Sequence, residues 1–279
     1  MRICFSSDFH GSHTLYDQLE ALLRREKPDL VILGGDIFPE GQDHDPASTQ
    51  AAFVRAQLVP RVTAWRQAVR GLAVACLMGN HDWRRTETAV RAAEDAGGFT
   101  LLELQRVWSC NGVNFLGCPF SPPTPHWVKD YERLDTSSDA VPDFGSAIWA
   151  TESERIREVD AEEHFRGKPA IAAELAAAAT PDEPWILVAH APPCDTKLDK
   201  LPNLDYPIGS KAVRDFIESR RPLCALHGHV HESPAVTGSY FDEVGGVLCI
   251  NPGQSHEHLH AVLFDTERPR ATLRHTVFA

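Results

Sequence analysis

Five short, uninterrupted apolar runs constrain this chain more than any other feature: residues 3–5, 30–33, 72–77, 185–189 and 223–226. Runs this brief and this uniformly apolar fit strands covered on both faces. Helix-length amphipathic stretches lie between them: Leu15, Leu19, Leu22 and Leu23 ahead of Pro28, then residues 53–69 with Leu58, Val62 and Trp65, then Val213 with Phe216 and Ile217. Strand and helix in alternation imply an α/β layered fold.

After Gly98 the texture changes. Leu101 with Leu102, Val107 with Trp108, and residues 113–116 are short runs parted by polar or Asn-Gly turn residues, a pattern that predicts hairpin strands. Residues 119–144 carry Pro119, Pro122, Pro123, Pro125 and Pro142 together with Trp127 and Tyr131. That composition resists regular structure and suits an ordered loop, the expected lid or specificity segment. Residues 152–179 are rich in Glu and Ala and predict an exposed helix. Apolar stretches around Val247, Val262 and Leu273 predict closing strands. With no internal repeat and no linker between two halves, the expectation is one domain over residues 1–279 with a proline-rich loop insertion around 118–150.

Composition bounds the partners. Lys and Arg total 27 against 39 Asp and Glu, a net charge of −12 with histidine neutral, and this sign repels nucleic acid and anionic membranes. It argues against a polynucleotide partner and against nuclease action. The apolar runs fall far short of the roughly 20 residues that span a bilayer as a helix, and Asp8 interrupts any secretory apolar region. Seven cysteines without a Cys-x-x-Cys pair are expected as reduced thiols in the packing. A soluble cytoplasmic protein is the expectation; the chain carries no signal of oligomeric state.

Each apolar run is followed within a few residues by side chains able to bind metal: Asp8 and His10; Asp36; Asn80, His81 and Asp82; His190; and His227, His229 and His231. In an open α/β sheet, ligands gather outside the carboxyl ends of the strands, so these distant residues are expected on one rim. Asp8 and His10, like His229 and His231, stand two apart and project the same way from extended backbone. Gly35, Gly79 and Gly228 let backbone pass close to an ion. Two aspartates, one asparagine and four histidines besides His81 are too many for one four-coordinate ion and suit two ions sharing a carboxylate. Two cations about 3.5–4 Å apart can clamp the attacking and leaving oxygens of an in-line displacement and bring the pKa of a bound water toward ~7. Phosphoester hydrolysis is the natural use.

In Asp8-Phe9-His10, Gly35-Asp36, Gly79-Asn80-His81-Asp82, His190 and Gly228-His229-Val230-His231, in that order, the chain resembles the calcineurin-like metallophosphoesterases. The resemblance implies a four-layer αββα sandwich of two mixed sheets flanked by helices. It also implies that Asp8, His10 and His231 hold one metal, that Asn80, His190 and His229 hold the second, that Asp36 bridges them, and that His81 is the general acid. An imidazolium can protonate a departing alkoxide, and Asp82, next in the chain, is expected to orient that ring. The mixed donors suit two divalent ions of manganese, iron or zinc, with manganese favoured.

Gly117-Cys118-Pro119-Phe120 with Trp127, His190-Ala191-Pro192-Pro193 and Asn251-Pro252-Gly253 further resemble a branch of that family acting on small phosphodiesters. The expected reaction is attack of a dimetal-bound hydroxide on a small, nucleotide-like phosphodiester. Phosphomonoesterase or protein phosphatase action at the same metals is the alternative. A non-catalytic scaffold is disfavoured, because His81 and every ligand residue are present.

A small phosphoester is thus the expected partner, with Arg84, Arg85 and Trp127 as its candidate contacts. Arg84 and Arg85 offer forked donors to a phosphate oxygen, or else open a solvated helix. Trp127 and Phe120 can stack on a nucleobase or pin the loop to the core. His227 is expected in the core or behind the metal-capable residues in a supporting role, His256, His258 and His260 on an exposed strand, and His13, His44, His126, His164 and His275 at the surface.

Overall fold

Period-two alternation decides the layering. In the strand Arg2–Ser6 (β1), Ile3 and Phe5 face one way and Cys4 the other. Its neighbours Leu30–Gly34 (β2) and Ala73–Leu77 (β3) turn Leu30, Ile32, Ala75 and Leu77 to the first side and Val31, Leu33, Val74 and Cys76 to the second. These are features of a computed structural model that describes residues 1–41, 45–179 and 181–278. His44, expected at the surface, lies outside the described residues.

Strands β1, β2 and β3 run parallel, with Ile3 beside Leu30 and Leu30 beside Ala73, and Thr100–Leu101 (β4) adds to β3. The chain then opens a second sheet with the hairpin Trp108–Cys110 (β5) and Val113–Cys118 (β6). Its turn, Asn111-Gly112, has φ of 49° and 78°, the left-handed pair that a two-residue hairpin needs. A separate hairpin follows, Ile148–Glu152 (β7) with Arg155–Val159 (β8). Trp185–Ala189 (β9), Cys224–Leu226 (β10), Phe241–Val244 (β11) and Val247–Ile250 (β12) complete the second sheet in the order β11-β12-β10-β9-β6-β5. Val262–Asp265 (β13) and Arg274–His275 (β14) return to the first, whose order is β14-β13-β1-β2-β3-β4.

Between the sheets, Ile3, Phe5, Ile32 and Leu77 meet Phe115, Ile186, Val188, Leu226 and Ile250 in one core. The outer face of the first sheet packs on His13–Glu26 (α1), Pro46–Phe53 (α2), Val59–Ala68 (α3) and Glu87–Asp95 (α4). Ser12 caps α1 by accepting the Leu15 N–H at 3.4 Å, and Lys27, at φ 46°, ends it just before Pro28. After Ala161–Arg166 (α5), the helices Ile171–Ala176 (α6) and Lys211–Arg220 (α7) cover the outer face of the second sheet. Helix, sheet, sheet, helix is the expected four-layer sandwich.

Residues 152–179 depart from the expected exposed helix. They hold the end of β7, then β8, α5 and α6, with Pro169 separating the helices and Phe165, Ile171 and Leu175 buried. Helix propensity favours Ala and Glu there, but burial of those apolar side chains against neighbouring elements overrides it. The proline-rich segment between β6 and β7 is an ordered loop, tied by isolated bridges between Ser121 and Glu132 and between Val128 and Trp149.

The histidines divide differently from expectation. His227 is in the core, its Nδ1–H donating to the Ala189 and Ala191 carbonyls, both at 3.0 Å. His164 is buried rather than exposed, and His126 and His275 are half-buried. His260 is buried against the His275 and Phe278 rings, so His256, His258 and His260 form no exposed strand. The seven cysteines are unpaired, five of them buried. Among the described residues, no helix is long and apolar enough to cross a membrane.

Candidate metal centre

The chain leaves its strands in a costly conformation at the rim of the sandwich. Asp8, His10, Asp36 and His229 have φ of 60°, 44°, 51° and 68°. The left-handed region costs an L-residue roughly 1–2 kcal/mol, and such strain persists only where the surroundings over-determine it. Here Asp8 N–H donates to Gly35 O at 3.0 Å, His10 N–H to Asp36 O at 2.9 Å and Gly228 N–H to His190 O at 3.0 Å, lacing the ends of β1, β2, β9 and β10 together. Glycine is required at two crossings. A Cβ on Gly79 would stand 2.5 Å from the Asp36 backbone nitrogen, and one on Gly228 would stand 2.6 Å from Asp8 Oδ2.

The side chains so aimed converge. His231 Nε2 lies 3.3 Å from Asp8 Oδ1 and 3.4 Å from His10 Nε2. His190 Nε2 lies 3.3 Å from Asp36 Oδ2 and 3.1 Å from Asn80 Oδ1, which is also 2.9 Å from His229 Nδ1. At its other nitrogen, His190 donates to Gly34 O at 3.0 Å, which fixes the ring and turns Nε2 inward. His229 N–H donates to both Asp8 carboxylate oxygens at 3.0 and 3.1 Å, and His81 N–H donates to Asp36 Oδ1 at 2.8 Å. The structure therefore brings Asp8, His10, Asp36, Asn80, His190, His229 and His231 to one rim. Ligand-capable atoms of Asp8, His10 and His231 lie within 4.8 Å of one another, as do those of Asp8, Asp36 and His190, and those of His10, Glu40 and His81.

The donor chemistry fits divalent cations. Asp8 and Asp36 are 2% and 1% exposed, and among the described residues their only ion-pair partners are imidazoles, with no Lys or Arg. Burial works against the Asp8 anion, yet His231 and His190 bring its pKa down to about 2. Burial likewise opposes the Asp36 anion, and His190 and His81 hold it well below the usual carboxylate range. The same attraction lifts His190 and His231 to about 9 against the effect of burial. Two buried carboxylates that gather positive charge from every side are the setting in which cations offset a heavy desolvation cost.

His81 has a partner that sequence reasoning missed. Its Nδ1 lies 2.6 Å from Glu40 Oε1, and the same carboxylate oxygen lies 3.3 Å from His10 Nδ1. Burial disfavours the His81 imidazolium, but Asp36 and Glu40 outweigh it and raise the pKa. Asp82 does not orient the ring. Its carboxylate accepts the Gly79 N–H at 2.9 Å and the Phe38 N–H at 3.3 Å, so it braces the turn that presents Asn80 and His81. Burial and the Asp36 charge push Asp82 up to about 8. On the side of the proline-rich loop, the His126 ring lies flat on His81 with centroids 3.6 Å apart and planes 9° from parallel. Burial and His81 bring its pKa down to about 3, so His126 stacks as a neutral ring.

The expected substrate contacts are engaged elsewhere. Arg85 donates to both carboxylate oxygens of Asp45 at 2.8 and 2.9 Å, beside a cavity of about 570 Å³ between α2 and α4. Arg84 donates to the Thr151 carbonyl at 2.9 Å. Trp127 packs edge-on against Trp83, 5.3 Å between ring centroids, in a cluster with Val128 and Trp149, and so pins the loop. His13 faces Arg61 at 3.3 Å. Of the missed residues, Glu40 carried a signal, since it is a carboxylate four positions after Asp36 in the same loop.

A family model described as calcineurin-like phosphoesterase matches residues 1–233. One solved crystal structure superposes with a TM-score of 0.65 at 14% identity, covering 100% of this chain and 99% of its own. The TT1561 protein of Thermus thermophilus follows this fold with a TM-score of 0.57 at 16% identity, over 98% of this chain and 97% of its own. A dimetal phosphatase from Danio rerio does so with a TM-score of 0.50 at 13% identity, over 94% and 92%. At these identities the likeness is one of fold. No curated protein compared with the chain matches it.

Proposed function

Because this chain belongs to the calcineurin-like phosphoesterase family, we propose that it hydrolyses a small, nucleotide-like phosphodiester at the rim cluster. It is a metallophosphoesterase, a hydrolase of phosphoric esters. In this reading Asp8, His10 and His231 hold one divalent cation, Asn80, His190 and His229 hold a second, and Asp36 serves both. The observation that carries it is the convergence of these seven side chains, two of them buried carboxylates that lack a Lys or Arg partner among the described residues. Two such cations would supply positive charge at the phosphoryl oxygens and ionise water at neutral pH. Manganese is the first choice over iron and zinc for carboxylate, amide and imidazole donors without a thiolate.

The protein's own groups do the rest. Glu40 engages His81 at Nδ1, so the proton that His81 can give to a departing alkoxide is the one on Nε2. His126, stacked on the same ring, limits how it can swing. The positions of Arg84 and Arg85 support a diester over a monoester. A dianionic monoester benefits from further guanidinium near the metals, whereas Arg85 is held by Asp45 and Arg84 by Thr151. We also read the chain as one domain, since β13 closes on β1 across nearly its whole length.

The test is a side-by-side rate measurement on bis-p-nitrophenyl phosphate and p-nitrophenyl phosphate with added Mn²⁺. Faster diester turnover is expected. Faster monoester turnover would replace this reading with that of a phosphomonoesterase or protein phosphatase.

A further inference from the structure

The proline-rich loop does more than cover the rim. Its Glu132 is fully buried beneath the site and faces Asn80, whose Nδ2 donates to Glu132 Oε1 at 3.3 Å. The rest of the carboxylate is occupied by its own loop. Oε2 accepts Lys129 Nζ at 2.6 Å and the Thr124 N–H at 3.0 Å, and Oε1 also accepts the Thr124 hydroxyl at 2.5 Å. Lys129 is fully buried too, and its ammonium donates further to the Thr124 carbonyl at 2.7 Å and to the His126 carbonyl. The loop backbone is fixed around this pair, Ser121 N–H donating to Tyr131 O at 3.1 Å and Arg133 N–H to Ser121 O at 3.0 Å.

An asparagine amide can present either its oxygen or its nitrogen, and the two orientations have opposite consequences for a cation. A carboxylate held by an ammonium can only accept, so it selects the rotamer with Nδ2 outward and Oδ1 toward His190 and His229. From this arrangement we infer that Glu132, held by Lys129, is a positioning residue that aims the Asn80 oxygen at the second cation. The proline-rich segment thereby becomes part of the metal centre rather than a cover over it. The inference rests on the reading of Asn80 as a ligand, from which Glu132 stands 52 residues away in the chain.

The experiment is a Co²⁺ titration of metal-stripped protein followed by visible absorbance, on wild type, Asn80→Ala, Glu132→Ala and the paired variant Lys129→Met/Glu132→Leu. Removing Glu132 alone strands a buried ammonium, whereas the paired variant removes both charges and leaves only neutral groups of Thr124, His126 and Asn80 to find other partners, a smaller cost. Wild type is expected to bind in two steps. The paired variant should keep one step at wild-type affinity and weaken about 10- to 100-fold the same step that Asn80→Ala removes. A paired variant with both steps unchanged would overturn the inference, as would one in which both steps weaken together with its melting temperature. A single step in wild type would instead remove the two-cation reading, and the role of Glu132 with it.

Discussion

Glu40 bears on His81 and on His10 at once, which makes the rim an interlocked set of charges rather than a row of independent ligands. In the proposed reading His81 is not one of the seven ligands, so His81→Ala should leave the cations bound and lower kcat. A well-placed acid contributes about 10²- to 10⁴-fold, and the loss should be larger for a diester that expels an alkoxide than for one that expels p-nitrophenolate, which needs little protonation. Equal losses on the two leaving groups would remove the assigned acid. That these residues meet at one rim was legible in the sequence, because each follows an apolar run within a few residues and the runs had to lie side by side. The partner of His81 was not. Asp82 is its neighbour in the chain, but the turn after β3 points that carboxylate back at the Gly79 and Phe38 amides, and the carboxylate that reaches the ring comes from the loop after β2.

At the scale of elements, the sharp exits from β1, β2, β3 and β10 are what make the cluster possible, and glycine is their weak point. Gly79→Ala places a methyl group against the backbone of Asp36, so either Asp36 or the Asn80 turn must move. A displacement of about 1 Å at such a site costs on the order of 100-fold in rate, and a fall in kcat/KM of that size with little change in far-UV circular dichroism is the expected outcome. Wild-type kcat/KM in this variant would show that the turn is not under this constraint. Elements with clean periodicity, such as α1 and the Asn111-Gly112 hairpin, followed from local rules. The segment 152–179 did not, since an Ala- and Glu-rich composition favours helix only until neighbouring elements bury Phe165, Ile171 and Leu175.

For the whole molecule, the histidines packed away from the rim add a sensitivity to acid. Burial brings His227 down to about 4, and His164 and His275 as well. A group depressed in the folded state contributes stability that is complete above its ordinary value near 6.5 and is lost as the pH falls through its folded value. The unfolded chain takes up those protons first. We expect one cooperative thermal transition whose midpoint drops between about pH 6.5 and 4. His227→Asn, which keeps a donor for the Ala189 and Ala191 carbonyls, should flatten that slope; an unchanged slope would assign the acid sensitivity elsewhere.

The sequence by itself determined the alternation of strand and helix, the two-sided burial of the sheets and the identity of the residues at their carboxyl ends. Each of these depends on spacing along one segment and on the rule that polar groups collect where parallel strands stop. Only the tertiary structure decided which way the side chains between those segments turn. Glu40 on His81, His126 flat against the same ring, Glu132 beneath Asn80, and Arg84 and Arg85 drawn away to Thr151 and Asp45 are contacts between separate segments of the chain. Such contacts depend on where the sheets place the ends of those segments, and local pattern carries no record of them.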